Sequence, residues 1–400
     1  MKIFCVLILL FNYSLSLKLQ EKYSWSNVEF NWPSEEFKEQ ALKTKNYIPQ
    51  SNLVLGVERW RNKLFITVPR WRAGVASALN YIDLSSNEQS PKLTPYPSWE
   101  HNFLPNKSET SIVSPFRVKV DECDRLWVMD AGFDNLLGSI KTIKPNTIAI
   151  YDLKTDQLVR QFEIPSGDLI RKSLLTNIIV DTSTDSCEDA YAYIADMGGN
   201  RLHVFSLREN RSWMIQNNYF KNDANLGRFT IGEKTFKWDG GLFGLALGKT
   251  NPDNSRDVFF HSLINFNEYM VSNRVLQDEK LSKDLSHYQL LGSRGQDSYS
   301  TAEVYDKNTG VLFYTLISTN GIGCWNTNKP LAEGNAVIAD KDPVSFVFPN
   351  DMKLDNDGNL WIITDKMFHF IRNQLDYKQV NYRVLTGRVE DLIRGTACEM

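Results

Sequence analysis

Four side chains that move protons or hold charge sit at comparable places in the chain. Asp130 closes LWVMD, Asp196 closes AYIAD, Asp365 closes LWIITD, and His261 lies inside DVFFHSL. A carboxylate so placed pairs an ammonium or acts as a general base, and an imidazole titrates near neutrality. Donors and rings occupy matching positions: Arg70 in VPRW, Phe116 in SPFR, Phe133 in AGFD, Thr319 in ISTN, and Asn350 and Asp351 in FPND. Phe116, Phe133 or Trp71 would offer a cation–π face, and hydroxyls and amides would read ring oxygens. Brought into one cavity, the set suits a small aromatic amine or quinone. Spacing alone does not bring them together, because they are scattered from residue 70 to residue 365.

A repeat does. From Val118 the chain reads VKVDECDRLWVMDAG and continues to TIAIYDL. Apolar residues alternate over Phe116 to Val120, Leu126 to Met129, Thr147 to Tyr151 and Leu158 to Ile164. Tight acidic or polar turns separate the first two runs and the last two. Alternation of this kind predicts antiparallel strands, and four in succession make one propeller blade. The second-strand signal recurs at Asn62 to Pro69, Asp124 to Asp130, Asp189 to Asp196, Arg256 to Leu263, Gly310 to Ser318 and Gly358 to Asp365. These copies stand roughly 50 to 65 residues apart, wider than compact blades. A first-strand signal precedes each and a third-strand signal follows each, the last of these at Phe368 to Ile371. The expected fold is all-β: a six-bladed propeller of four-stranded antiparallel blades. Tyr23 to Phe30 also alternates and is expected to complete the last blade and close the ring, removing a free sheet edge. Ser34 to Lys45 reads as a short helix capped by Ser34. In a propeller, first-strand starts and second-strand ends of every blade meet at one channel mouth, which gathers the residues above.

Several readings are structural. Trp60, Trp127 and Trp361 fit core packing. The acidic stretches Asp121 to Asp124 and Asp355 to Asp357 fit turn chemistry, and Asp130 and Asp196 also suit capping of turn amides. His101, His203, His287 and His369 fall away from the mouth. There is no Ser–His–Asp order, no Gly-rich phosphate loop and no zinc-type Cys/His cluster. Asn177, Asn350 and Asp351 match part of the Glu, Asn, Asn and Asp set that holds an axial divalent ion in some six-bladed propellers. The Glu is missing, since Glu58 lies farther in. No metal and no cofactor is expected.

The 400-residue chain carries a net charge of −3 and no basic stripe, which argues against nucleic acid as a partner. Residues 1–16 read as a secretory signal: Lys2, an apolar run from Ile3 to Phe11, then Ser14 and Ser16 before the expected cleavage. That run is too short to cross a bilayer, and no later one is long enough. A secreted chain without a membrane partner follows, with one propeller domain over 17–400. A ring closes on itself, so a monomer is expected. Four cysteines remain, which allows three pairings. Cys123 and Cys187 occupy the same first-to-second strand turn on adjacent blades, so they are expected to pair. Cys324 would then clamp the tail at Cys398. Asn106 and Asn210 head sequons and are expected to carry glycans.

The stretches YSWSNVEFNWP from Tyr23, LFITVPRWRAGVASALNYI from Leu64, DECDRLWVMDAG from Asp121, CWNT from Cys324 and RGTACEM from Arg394 resemble the Yellow / major royal jelly protein family of insects. The resemblance runs from about Tyr23 to Cys398, and VPRWRAGVASALNYI places it nearer the Yellow branch. It implies a secreted propeller with a similar cysteine frame. Yellow proteins are tied to cuticle pigmentation, and some members isomerise dopachrome in melanin synthesis. For that reaction the base would be His261, Asp130, Asp196 or Asp365. The donor to the ring oxygen would be Arg70, Asn350 or Thr319. Other members bind biogenic amines without changing them. Those carry a Thr after the fifth blade's second strand, matched by Thr319, and an Asn-Gly-Phe after the sixth's, replaced here by Asp365-Lys366-Met367. A structural or signalling role in cuticle is the third expectation.

Overall fold

The computed structural model describes residues 17–400 apart from 184, 227, 232–233 and 238–239. The expected signal at 1–16 lies outside the described residues. Six four-stranded antiparallel sheets make a six-bladed propeller. Blade two shows the pattern: Pro115–Val120, Arg125–Asp130, Thr147–Asp152 and Gln157–Glu163, in that order from axis to rim. The first strands of blades one to six are Val57–Trp60, Pro115–Val120, Leu175–Asp181, Leu242–Thr250, Glu303–Asp306 and Pro349–Leu354. Each touches the next, and the sixth touches the first, so the ring is closed around one axis.

Packing explains why second strands read as unbroken apolar runs. Both faces of each are buried, against a different neighbour on each side. Leu126 and Val128 join Phe65 and Leu79 of blade one, whereas Trp127 and Met129 join Ile178 and Ile194 of blade three. At the rim the constraint lifts, and Gln157–Glu163 alternates between exposed and half-buried residues. The acidic turns hold the strands in register. Asp121 accepts from the backbone N–H groups of Cys123 and Arg125 at 2.9 and 3.0 Å, and from the Trp127 indole at 2.8 Å. Asp355 repeats the device with Trp361 at 2.7 Å.

The N-terminal strand closes the last blade as expected, over Gln20–Trp25 rather than Tyr23 to Phe30; it pairs with Tyr382–Arg388. Glu35–Lys43 is helical, and the Ser34 hydroxyl accepts from the Phe37 N–H at 3.2 Å. One strand assignment is corrected. Phe368 to Ile371 is not the third strand of blade six but part of a short helix, Met367–Ile371, and the third strand is Tyr382–Arg388. Lys366 enters the helix at φ 37°, and Met367, Phe368 and Phe370 turn inward. So short an apolar run fits either period, and tertiary burial decides it.

Both disulfides form as expected, Cys123–Cys187 between blades two and three and Cys324–Cys398 between blade five and the tail. The second spans 74 residues. Replacing Cys324 and Cys398 together by Ser is expected to cost about 2–4 kcal/mol and to lower the calorimetric melting midpoint. An unchanged midpoint would show that the tail is held by its other contacts alone.

Candidate functional site

The site follows from a fault repeated in the inner strands. In four blades the first strand carries an extra residue near its start. Register slips between Pro115 and Val118, between Leu175 and Asn177, between Leu242 and Gly244, and between Pro349 and Asp351. Each slip is a β-bulge, which re-aims a side chain out of the alternation. The residues left over include Phe116, Thr176, Phe243 and Asn350, and all four line one cavity of about 450 Å³ at the channel's upper end. Blades one and five enter differently. Thr67 Oγ1 accepts from the Gly56 N–H at 2.8 Å, and Thr315 Oγ1 accepts from the Thr301 N–H at 2.8 Å. Leu55 and Thr301 complete the ring of first-strand contributions.

Connecting segments build the walls and roof. Trp71, Leu136, Phe348 and Phe368 are among them, with Arg372 also in the lining. Trp71 stands against Phe116 at 5.7 Å between ring centroids, and Phe348 meets Phe368 edge to face at 4.9 Å. Two buried donors in the lining have no protein partner, the Trp71 Nε1–H and the Thr176 hydroxyl. An indole N–H only donates, whereas the Thr176 hydroxyl both donates and accepts.

Arg117 forms the floor. It belongs to the same bulge as Phe116, is fully buried, and lies on the axis. Its Nη1 donates to the Thr301 carbonyl at 2.6 Å and its Nη2 to the Asn350 carbonyl; Nε stands 3.3 Å from Asp351 Oδ1. Its guanidinium also faces the Phe243 ring at 4.6 Å. Thr301 and Asn350 line the upper cavity, whereas Asp351 lines a smaller lower one of about 210 Å³. Arg117 therefore divides the channel. The lower chamber is ionic: Lys353 reaches Asp351 at 2.7 Å and Lys119 reaches Glu58 at 3.1 Å.

The expected site residues separate into three groups. Phe116 and Asn350 line the upper cavity, together with Trp71, Thr176, Phe243, Thr301 and Met367. Phe133 stands behind Phe116 at 6.0 Å, and Asp351 lies below the floor. Asp365 is fully buried beside the cavity, where Asn350 Nδ2 donates to it at 2.6 Å and the Met367 N–H at 3.1 Å. Burial drives its pKa well above the carboxylate range, against those bonds and Arg117.

The others serve elsewhere. Asp130 takes the N–H groups of Val113, Ser114 and Gly132 and the Lys144 ammonium. Asp196 takes Leu174, Gly199 and the Ser173 hydroxyl. Both tie the end of a second strand to the loop before its blade. Arg70 binds the carbonyls of Val75 and Asn102. Thr319 is exposed on a turn tip. His261 is sealed between blades four and five, its Nδ1 3.1 Å from both Glu268 and Glu303, with Arg294 on Glu268 at 2.6 Å. Burial and Arg294 oppose its protonation, and the two glutamates overcome them and raise its pKa. Burial pushes Glu303 up to about 7. Asn106 and Asn210 are exposed.

The described residues form a closed ring of six blades with an aromatic-walled chamber on its axis. The family described as Major royal jelly protein matches residues 113–398. "Protein yellow" of Drosophila melanogaster is 38% identical over 387 residues, covering 96% of this chain and 71% of that protein; "Protein yellow" of Drosophila yakuba gives the same values. The chain belongs to the Yellow / major royal jelly protein family. Among solved structures, a virginiamycin B lyase from Staphylococcus aureus aligns at 11% identity with a TM-score of 0.44, over 85% of this chain and 96% of that one, too distant to bear on function.

The Asp365 environment has a testable sign. A carboxyl whose folded pKa is raised contributes stability that is fully present below its unfolded value, about pH 4, and lost as pH rises toward the folded value. Asp365→Asn removes that titration. Its stability relative to the parent should improve as pH rises, by at most about 1.4 kcal/mol per unit. Denaturant midpoints at about pH 5 and pH 8 check this; a difference that does not move with pH would show that Asp365 is ionised throughout.

Proposed function

We propose that the protein is a secreted Yellow-type protein of the catecholamine and melanin pigmentation pathway, and that its upper cavity takes a small catechol-derived quinone. One observation carries this: an aromatic-walled cavity of about 450 Å³ with two unpartnered donors, the Trp71 indole and the Thr176 hydroxyl. A flat ring fills such a volume, and quinone oxygens accept from those donors. Isomerisation of a dopachrome-type quinone is the reaction the family resemblance supports. Its requirement is a base beside the carbon that loses its proton. Asp365, one hydrogen bond behind Asn350, is the candidate nearest the cavity, and burial holds it toward the protonated form, in which it can give a proton but not take one.

A second reading is favoured by a specific observation. His261, Asp130 and Asp196 are each held by other groups away from the cavity lining. A carrier that binds the ring without converting it fits that arrangement. Secretion belongs to both readings, supported by two disulfides and by exposed sequons at Asn106 and Asn210.

Substoichiometric protein is expected to accelerate dopachrome decay over many turnovers. Phe116→Ala and Trp71→Ala should each lower kcat/KM about ten-fold or more through lost ring contact. Saturable one-to-one binding without turnover would replace the isomerase by the carrier. Neither turnover nor binding would contradict the assignment of the cavity.

A further inference from the structure

A buried cluster outside the upper cavity braces two of its walls. His261 lies on the second strand of blade four, opposite Gly244 on the first. A Cβ at Gly244 would come within 2.2 Å of His261 Cε1 and 2.3 Å of Nε2, so the imidazole rests directly on that backbone. Gly244 closes the bulge that releases Phe243 into the cavity. The other edge of the ring is clamped. Nδ1 stands 3.1 Å from Glu268, on the third strand of the same blade, and 3.1 Å from Glu303, on the first strand of blade five. Thr301, two residues before Glu303, lines the cavity and gives its carbonyl to Arg117. The clamp thus joins the strand that delivers Phe243 to the strand that delivers Thr301.

Protons hold the clamp together. Arg294 is committed to Glu268 at 2.6 Å and to the carbonyls of Asn265, Asn267 and Ser298. Burial and Arg294 oppose protonation of His261, and Glu303 and Glu268 outweigh them and raise its pKa. Burial pushes Glu303 up to about 7. A group whose folded pKa is raised contributes stability below its unfolded value, about 6.5 for histidine, and loses it as pH rises through the folded one. Both groups therefore release their protons in the same direction. Above neutrality two charged carboxylates face each other across a neutral ring, with Arg294 alone between them. The other groups nearby do not replace the lost charge. Tyr314, beneath Arg294, is kept neutral by burial. On the lower-chamber side of Glu303, Arg59, Lys119, Arg125, Arg256 and Lys353 are paired with Asp355, Glu58, Asp121, Asp181 and Asp351, and Glu122 is exposed.

We propose that His261 is a positioning residue of the upper cavity: held between Glu268 and Glu303, it braces the Phe243 wall, and ring binding weakens as this clamp gives up its protons at alkaline pH. This rests on reading the upper cavity as a ring-binding site. Asp365, on the far side of the floor, also ionises as pH rises, so the test must separate the two.

Calorimetric titration of the intact protein with indole, which stays neutral, at about pH 6 and about pH 9 provides it. The parent should bind several-fold more weakly at the higher pH. Glu303→Gln keeps an acceptor for His261 Nδ1 and removes the second carboxylate; it should bind like the parent at the lower pH and lose most of the alkaline weakening. His261→Ala, which takes the ring off Gly244, should weaken indole several-fold already at the lower pH. Equal binding by the parent at both pH values would overturn the clamp. So would alkaline weakening that persists in Glu303→Gln, which would assign the effect to Asp365, or a Glu303→Gln defect of the same size at both, which would leave a structural role alone. Absence of indole binding at either pH would remove the ring-site reading, and this inference with it.

Discussion

Everything about the channel depends on one buried guanidinium. Arg117 sits on the axis and ties together carbonyls from blades five and six, the Asp351 carboxylate and the Phe243 ring of blade four. A charge in such a place is costly unless every part of it is met, and removing one partner of a buried pair costs more than the pair contributes. The neighbouring strands must therefore hold their carbonyls where Arg117 needs them, which fixes the spacing of the blades around the axis. It also gives the channel two unlike halves, an aromatic chamber above and an ionic one below. The Asn350 and Asp351 side chains stand against a guanidinium that brings its own charge to the axis.

The chamber above owes its shape to economy of a different kind. A regular inner strand would point alternate residues into the two flanking blades and leave little for the lumen. The bulge repeated in four blades releases one residue per strand from that duty, and Phe116, Thr176, Phe243 and Asn350 are the result. The connections between strands then roof it. The short helix Met367–Ile371 supplies Phe368 against Phe348, and the loop between the second and third strands of blade one supplies Trp71. The propeller makes the ring rigid, while the cavity lining is divided between bulges and loops, where sequence changes least disturb the blades.

The blades were legible because their signal is physical and repeated. Strands buried on both faces must be apolar throughout, and turns between them must be acidic or glycine-bearing. The disulfides followed, since Cys123 and Cys187 hold equivalent turns. Phe116 and Asn350, at first-strand starts, were legible as lining residues for the same reason. Second-strand ends were not. Asp130 and Asp196 look like mouth carboxylates in sequence, yet their oxygens are taken by backbone N–H groups of the preceding loops. His261 looked free to face the channel, but Gly244 leaves room for its ring to lie against the inner strand, beside two glutamates from neighbouring strands. Arg117 was passed over because simple alternation sets it opposite to Phe116; only a bulge puts both in the lumen. Phe348 and Phe368 come from segments with no strand period to reveal them.

The most direct test is a crystal structure of the protein with a flat carboxylated ring compound bound. The account predicts the ring between Trp71, Phe116, Phe243 and Phe368, with its acceptor oxygens toward Trp71 Nε1 and the Thr176 hydroxyl. Beneath it, Arg117 should remain bonded to the Thr301 and Asn350 carbonyls. A ligand lodged in the lower chamber, or a channel left continuous by Arg117 swinging off the axis, would contradict it.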